Sequence, residues 1–184
     1  MNKKSKNPFK RIKNSLIARI ARIGNKLDRL KYDKLNSIFD KEFSFTEAVK
    51  FYKNRNDIHM YFHHYYNHRL PKAVKEHREY IEKNKKGFGE PAFHAMWWKL
   101  LLEYKPKNCL EIGVYRGQVV SIWTLISKLV DRNIAVSGIS PFSSFGDSVS
   151  EYMKNLDYYQ DVQETFEDLD LQKPTFIKGF SSDK

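Results

Sequence analysis

Glu111, Gly113 and Gly117 stand in the order acidic residue, one residue, glycine, three residues, glycine, within Asn108-Cys109-Leu110-Glu111-Ile112-Gly113-Val114-Tyr115-Arg116-Gly117. A carboxylate placed here accepts hydrogen bonds from a ligand amine or hydroxyl. Glycines let backbone approach a ligand without a Cβ in the way, and the free amides of a following helix favour an electron-rich group. The dinucleotide fingerprint G-x-G-x-x-G does not fit, because three residues separate Gly113 from Gly117 where it has one. The plainer alternatives stand beside these: Glu111 caps a turn, and the glycines serve turn geometry alone. A second set is His59, His63, His64 and His68. Each i, i+4 pair reaches one metal in a helix, but no acidic residue lies among them and the pairs diverge by about 100° around the axis. They are therefore expected as half-buried filler of an aromatic helix, or as part of a lid over the neighbouring segment, and no metal site is assigned.

The elements that must position Glu111 follow from the pattern around it. The run 108–112 predicts a strand, then a glycine turn, then a helix through Trp123, Leu125, Ile126 and Leu129. A second unit repeats the order: a strand over 134–139, the turn Ser140-Pro141-Phe142, helical stretches over about 148–171, and a third strand over 175–178. Successive β-loop-α units imply a parallel sheet whose ligands bind beyond the carboxyl ends of its strands. Before it come helices. Ser44-Phe45-Thr46-Glu47 has capping-box spacing, predicting a helix to about residue 54. Asp57 is read as the cap of the next, over 58–70. Pro71 suits the first turn of a third, ending near Gly87, and Glu90-Pro91 opens a fourth to about Tyr104, ahead of Pro106. Trp97 and Trp98 on it are expected as core. The chain thus divides into a basic helical extension over 1–38, a helical layer over 39–105 facing the site, and an α/β half-domain over 106–184.

Cys109-Leu-Glu-Ile-Gly-Val-Tyr-Arg-Gly117 resembles the first motif of class I S-adenosylmethionine-dependent methyltransferases, in the branch of catechol and macrocin-type sugar O-methyltransferases. The resemblance covers about residues 90–184. It implies an α/β fold in which N-terminal helices precede the first half, about three parallel strands, of a Rossmann-like methyltransferase sheet. It implies that Glu111 and the loop of Gly113, Tyr115, Arg116 and Gly117 hold the methionine end of S-adenosylmethionine, with Tyr115 and Arg116 toward its carboxylate. Ser140 stands where the family usually has Asp or Glu for the ribose, and a hydroxyl is a weaker acceptor. Pro141 and Phe142 are implied against the adenine face, with core packing the alternative for Phe142. Ser181, Ser182 and Asp183, in Gly179-Phe-Ser-Ser-Asp183, are implied at the adenine edge. The family sheet runs 3-2-1-4-5-7-6, and its catalytic acid or divalent metal belongs beyond the third strand. The chain is thus expected to be incomplete and its catalytic residues unassignable. The activity implied is methyl transfer to a hydroxyl of a small molecule, sugar or glycan. The competing expectation is a non-catalytic binding protein on a degenerate scaffold of this kind.

Composition limits the remaining classes. With 184 residues, 41% hydrophobic and 15% aromatic, the chain can bury a core, which excludes a wholly disordered chain. The lone Cys109 excludes an intramolecular disulfide framework, and a reduced thiol suits a cytoplasmic setting. The net charge of +11 is not spread evenly. Residues 1–38 hold 12 Lys/Arg and two Asp/Glu; the other 146 hold 21 and 20, so the body is near neutral and does not advertise a nucleic-acid partner. Within the extension, Phe9, Ile12, Leu16, Ile20, Ile23, Leu27, Leu30, Leu35 and Ile38 fall on one helical face among cations. Arg19 and Arg22 rule out a membrane span. The stripe is expected to pack on the body or on a second copy, with peripheral contact to an anionic membrane next and RNA last.

Overall fold

A computed structural model describes residues 39–143 and 156–180, together with 16–17, 19–24, 26–27 and 30. Met1–Glu42 and Phe43–Lys184 are separate compact units. In the first, the described residues between 16 and 30 are helical and exposed. No helix among the described residues is long and apolar enough to cross a membrane.

The second unit is α/β. Its helices α1 (Phe45–Tyr52), α2 (Arg55–His68), α3 (Lys72–Lys83) and α4 (Pro91–Tyr104) precede β1 (Asn108–Ile112), α5 (Gln118–Leu129), β2 (Ala135–Ser140), α6 (Tyr158–Asp168) and β3 (Thr175–Lys178). The capping box closes as the sequence predicts. Ser44 Oγ accepts the Glu47 amide, and Glu47 accepts the Ser44 amide in return. Lys53 then turns left-handed, and Asn54 caps α2 by accepting the Asn56 amide, so α2 starts ahead of Asp57 rather than on it. α3 stops at Lys83, short of the predicted Gly87, because the carbonyls of Asn84 and Lys85 turn toward Arg116. β2 lies one residue later than predicted, and the described part of the last helix is α6 alone.

The strands are parallel in the order β1-β2-β3, with Glu111 beside Gly138 beside Phe176 and Ile112 beside Ile139 beside Ile177. Advancing one way with right-handed crossovers puts α5 and α6 on the same face. Accordingly α5 packs on β1 and β2, and Phe166 of α6 meets Phe176 of β3 with ring centroids 6.0 Å apart. The covered face holds Cys109, Glu111, Val136, Gly138 and Ser140. The opposite face leaves Leu110, Ile112 and Ile177 51%, 62% and 52% exposed. A parallel sheet is normally covered on both sides, so this face is open among the described residues.

The helical layer joins α5 through α3 and α4. A buried polar chain runs through that joint. His77 Nε2 lies 2.8 Å from Ser121 Oγ, and its Nδ1 lies 3.0 Å from His94 Nε2. Ser121 donates to the Gln118 carbonyl, so its oxygen is the acceptor for a proton on His77 Nε2. Burial first, then His94 and Arg78 for His77 and Arg78 for His94, lowers both imidazoles to about 3. The unfolded chain binds those protons near pH 6.5, so stability is full above that value and is lost as the pH falls toward 3. The unfolding free-energy gap between the native protein and His77→Gln should therefore narrow by about 3 kcal/mol from pH 7 to pH 4. Urea unfolding at the two values measures it, and a constant gap would overturn the assignment.

Candidate functional site

Glu111 is the fourth residue of β1, on the helix-covered face and near the strand's carboxyl end. Beyond it the turn needs two positive φ values, 88° at Gly113 and 87° at Gly117, which glycine adopts without strain. The Gly113 amide donates to Ile139 at 2.8 Å, extending the β1–β2 ladder by one bond. A Cβ at Gly113 would meet nothing, so the turn's backbone is open to a ligand there, whereas one on Gly117 would lie 3.2 Å from Val162 of α6. One glycine keeps the turn accessible and the other lets α6 approach it.

A cavity of about 270 Å³ lies against this turn, lined by Phe88, Phe93, Trp97, Tyr115, Gln118 and Glu111 among others. Phe88 stacks on Tyr115 at 4.9 Å and Trp97 stands edge-on to Trp123 at 5.0 Å. The Gly89 amide donates to Gln118 Oε1 at 3.3 Å, tying the loop before α4 to the first residue of α5. Glu111 is bound at one point by the Val120 backbone near the start of α5, while its Oε2 is buried with no hydrogen-bond partner. Burial raises its carboxyl to about 7, against the pull of that backbone bond. One side chain thus combines a bond to the backbone at Val120 with a buried, unpartnered oxygen in a residue that lines the aromatic cavity.

The turn is held by an ion network. Asp161 on α6 accepts Arg116 Nη2 at 2.7 Å and Nε at 2.8 Å, a bidentate pair, and also Lys86 Nζ at 3.0 Å. Lys86 donates further to Thr165 Oγ1 and the Asp161 carbonyl, both at 2.9 Å. Burial pulls the Asp161 carboxyl upward, but the hydrogen bonds from Arg116 and Lys86 hold it below the usual carboxylate range.

Of the residues nominated from sequence, Glu111, Tyr115 and Arg116 border one cavity, and Gly113 and Gly117 form the turn beside it. The others are placed differently. Arg116 turns its guanidinium to Asp161 and to the carbonyls of Asn84 and Lys85, so its charge is compensated inside the fold rather than held for a ligand carboxylate. Ser140 is buried, donates to the Val114 carbonyl at 2.9 Å and accepts the Phe142 amide at 3.3 Å, so its hydroxyl braces the turn. Phe142 is buried edge-on to Tyr159 and Phe176, in the core position given as its alternative; Pro141 beside it is half-buried. Ser181, Ser182 and Asp183 lie outside the described residues. On α2, His63 bonds Asn67 at 3.1 Å, His64 stacks on His68, and His59 bonds Glu90 at 3.0 Å. None of these imidazoles reaches the cavity. The wall comes instead from Phe88, Phe93 and Trp97, for which aromatic content on both sides of Glu90-Pro91 was the available signal, and from Gln118, which gave none.

A larger cavity of about 730 Å³ lies at the amino ends of β2 and β3. Ions along its rim are engaged, Lys128 with Asp170 at 3.2 Å and Lys173 with Glu167 at 2.6 Å. Ligands of open parallel sheets gather at the opposite ends of the strands, where Glu111 lies. The class defined by this arrangement is a parallel α/β protein with an acid-and-glycine turn at the end of its first strand. Compared with protein-family models, curated proteins and solved structures, the chain matches none.

Two outcomes follow from these charges. Asp161→Asn leaves two buried cations without their counter-charge and should destabilise the fold by about 3–5 kcal/mol in urea unfolding; a loss below about 1 kcal/mol would show that the network is dispensable. Glu111, whose folded value is raised, contributes stability that is present below pH 4.5 and is lost as the pH rises through about 7. Glu111→Gln should therefore gain about 1–3 kcal/mol over the native protein on going from pH 4 to pH 8, read from paired unfolding curves.

Proposed function

We propose that the chain binds S-adenosylmethionine at the Glu111 cavity and serves methyl transfer to a hydroxyl of a small molecule or sugar. The observation that carries this reading is the buried Oε2 of Glu111, left without a partner beside the open turn at Gly113. The strand order β1-β2-β3 supports it, since it is the order of the first half of the methyltransferase sheet. Glu111 would accept the ammonium of the cofactor's amino-acid end, and the backbone at Gly113 would lie along it. When bound, the cofactor supplies a sulfonium methyl as electrophile. Phe88, Phe93, Trp97 and Tyr115 line that end and offer flat surfaces to an acceptor ring. At the end of β2 the fit is poorer: Ser140 and Phe142 are engaged inside the fold, so no hold on ribose or adenine is assigned to them.

Those same engagements favour a second reading, a scaffold of this architecture that binds no cofactor and performs no catalysis. Isothermal titration of the full chain with S-adenosylmethionine separates the two. Binding is expected, with Glu111→Ala weakening it at least about tenfold and His63→Ala by less than about twofold. An ammonium beside Glu111 favours its charged form, so binding near pH 7 should release a proton, detected as a heat that changes with the buffer's ionisation enthalpy. Absence of heat from a folded sample would sink the methyltransferase reading and leave the scaffold.

A further inference from the structure

The N-terminal unit carries a feature that the cavity does not use. Leu16, Ile20, Ile23, Leu27 and Leu30 are all helical, and each is between 50% and 62% exposed. At about 100° per residue they fall within an arc of about 80°, so they form one continuous apolar stripe. Arg19, Arg22 and Lys26 are helical and exposed as well, and the same geometry places them along one flank of that stripe. A large apolar stripe exposed on a helix requires an occupant.

Charge selects among the occupants. Nine Lys/Arg precede Asp28, and no Asp or Glu stands before it. A second copy of the helix would bring its own cations alongside Arg19, Arg22 and Lys26, without the opposite charges that flank a stable helix pair. The apolar steps 16, 20, 23, 27, 30 also span only two heptads, short of the about three to four that a self-sustaining coiled coil needs. An anionic bilayer answers both halves of the surface at once: acyl chains take the Ile/Leu stripe, and lipid phosphates and carboxylates take the cations. We infer that this helix lies in the headgroup region of an anionic membrane, with the stripe turned into the bilayer, and holds the α/β unit at its surface.

The inference does not depend on the Glu111 reading, and its test leaves that site untouched. The full chain is floated with vesicles of phosphatidylcholine containing about 30% phosphatidylserine, and separately with phosphatidylcholine alone. Binding to the anionic vesicles is expected to exceed binding to the neutral ones at least about tenfold, and to fall by a similar factor between about 0.1 and 0.5 M salt. The variant Ile20→Glu/Ile23→Glu should lose flotation, and Arg19→Gln/Arg22→Gln/Lys26→Gln should lose the preference for anionic lipid. Both should keep the urea midpoint of the α/β unit, because the altered residues are exposed. Absence from the vesicles at every salt concentration would overturn the inference. So would a dimer in sedimentation equilibrium that Ile20→Glu/Ile23→Glu dissolves while flotation stays negligible, since the stripe would then be a seam between two copies. Release from vesicles by equimolar single-stranded RNA at low salt would assign the cations to nucleic acid and overturn it as well.

Discussion

The arrangement of this protein around its first strand depends on one carboxylate. Asp161 on α6 accepts the guanidinium of Arg116, which belongs to the glycine turn, and the ammonium of Lys86, which belongs to the loop before α4. Three segments far apart in the chain are thereby joined at a single buried point. A buried ion pair gains little net stability over an apolar substitute, but it is specific, because among the described residues Asp161 is the one buried carboxylate that pairs with either cation. With Lys86 and Arg116 held, the loop carrying Phe88 lies against Tyr115 and closes one wall of the cavity. The network positions the site and does not enter it.

Glu111 shows the opposite economy. Two cations surround Asp161 on α6, while Glu111 on β1 keeps one oxygen buried and unmatched. Leaving an acceptor in that state costs roughly 1–3 kcal/mol in a typical fold. Atoms of His64, Arg78, His94 and Trp123 share that state, but of these residues only Glu111 lines the aromatic cavity, which is why this side chain bears the functional reading. The aromatic rings along the cavity would add to the attraction of a cation placed there.

Two surfaces remain without a partner among the described residues, and they differ in kind. The sheet face of Leu110, Ile112 and Ile177 is uncharged and flat, since α5 and α6 both lie on the other side. The N-terminal stripe is narrow and flanked by cations. Only the second has a charge pattern that names the chemistry of what covers it.

Much of this was legible from residues alone. The capping box at Ser44, the Glu90-Pro91 helix start, and the limits of β1 and β3 follow from local rules, because caps, proline and short apolar runs act within a few residues. The acidic residue and the two glycines located the turn for the same reason. The end of α3 was not legible, since the carbonyls of Asn84 and Lys85 are drawn off by Arg116, about 30 residues ahead. Nor were the roles of Ser140 and Phe142. Whether a hydroxyl faces a ligand or braces a turn, and whether a ring is wall or core, depends on neighbours such as Val114, Tyr159 and Phe176. The sequence by itself determined which elements form and where the unusual turn falls, because those are decided by contacts close along the chain. Only the tertiary structure decided which charges are compensated and which are not, because Asp161 meets Arg116 and Lys86 across long separations, and no spacing rule links them.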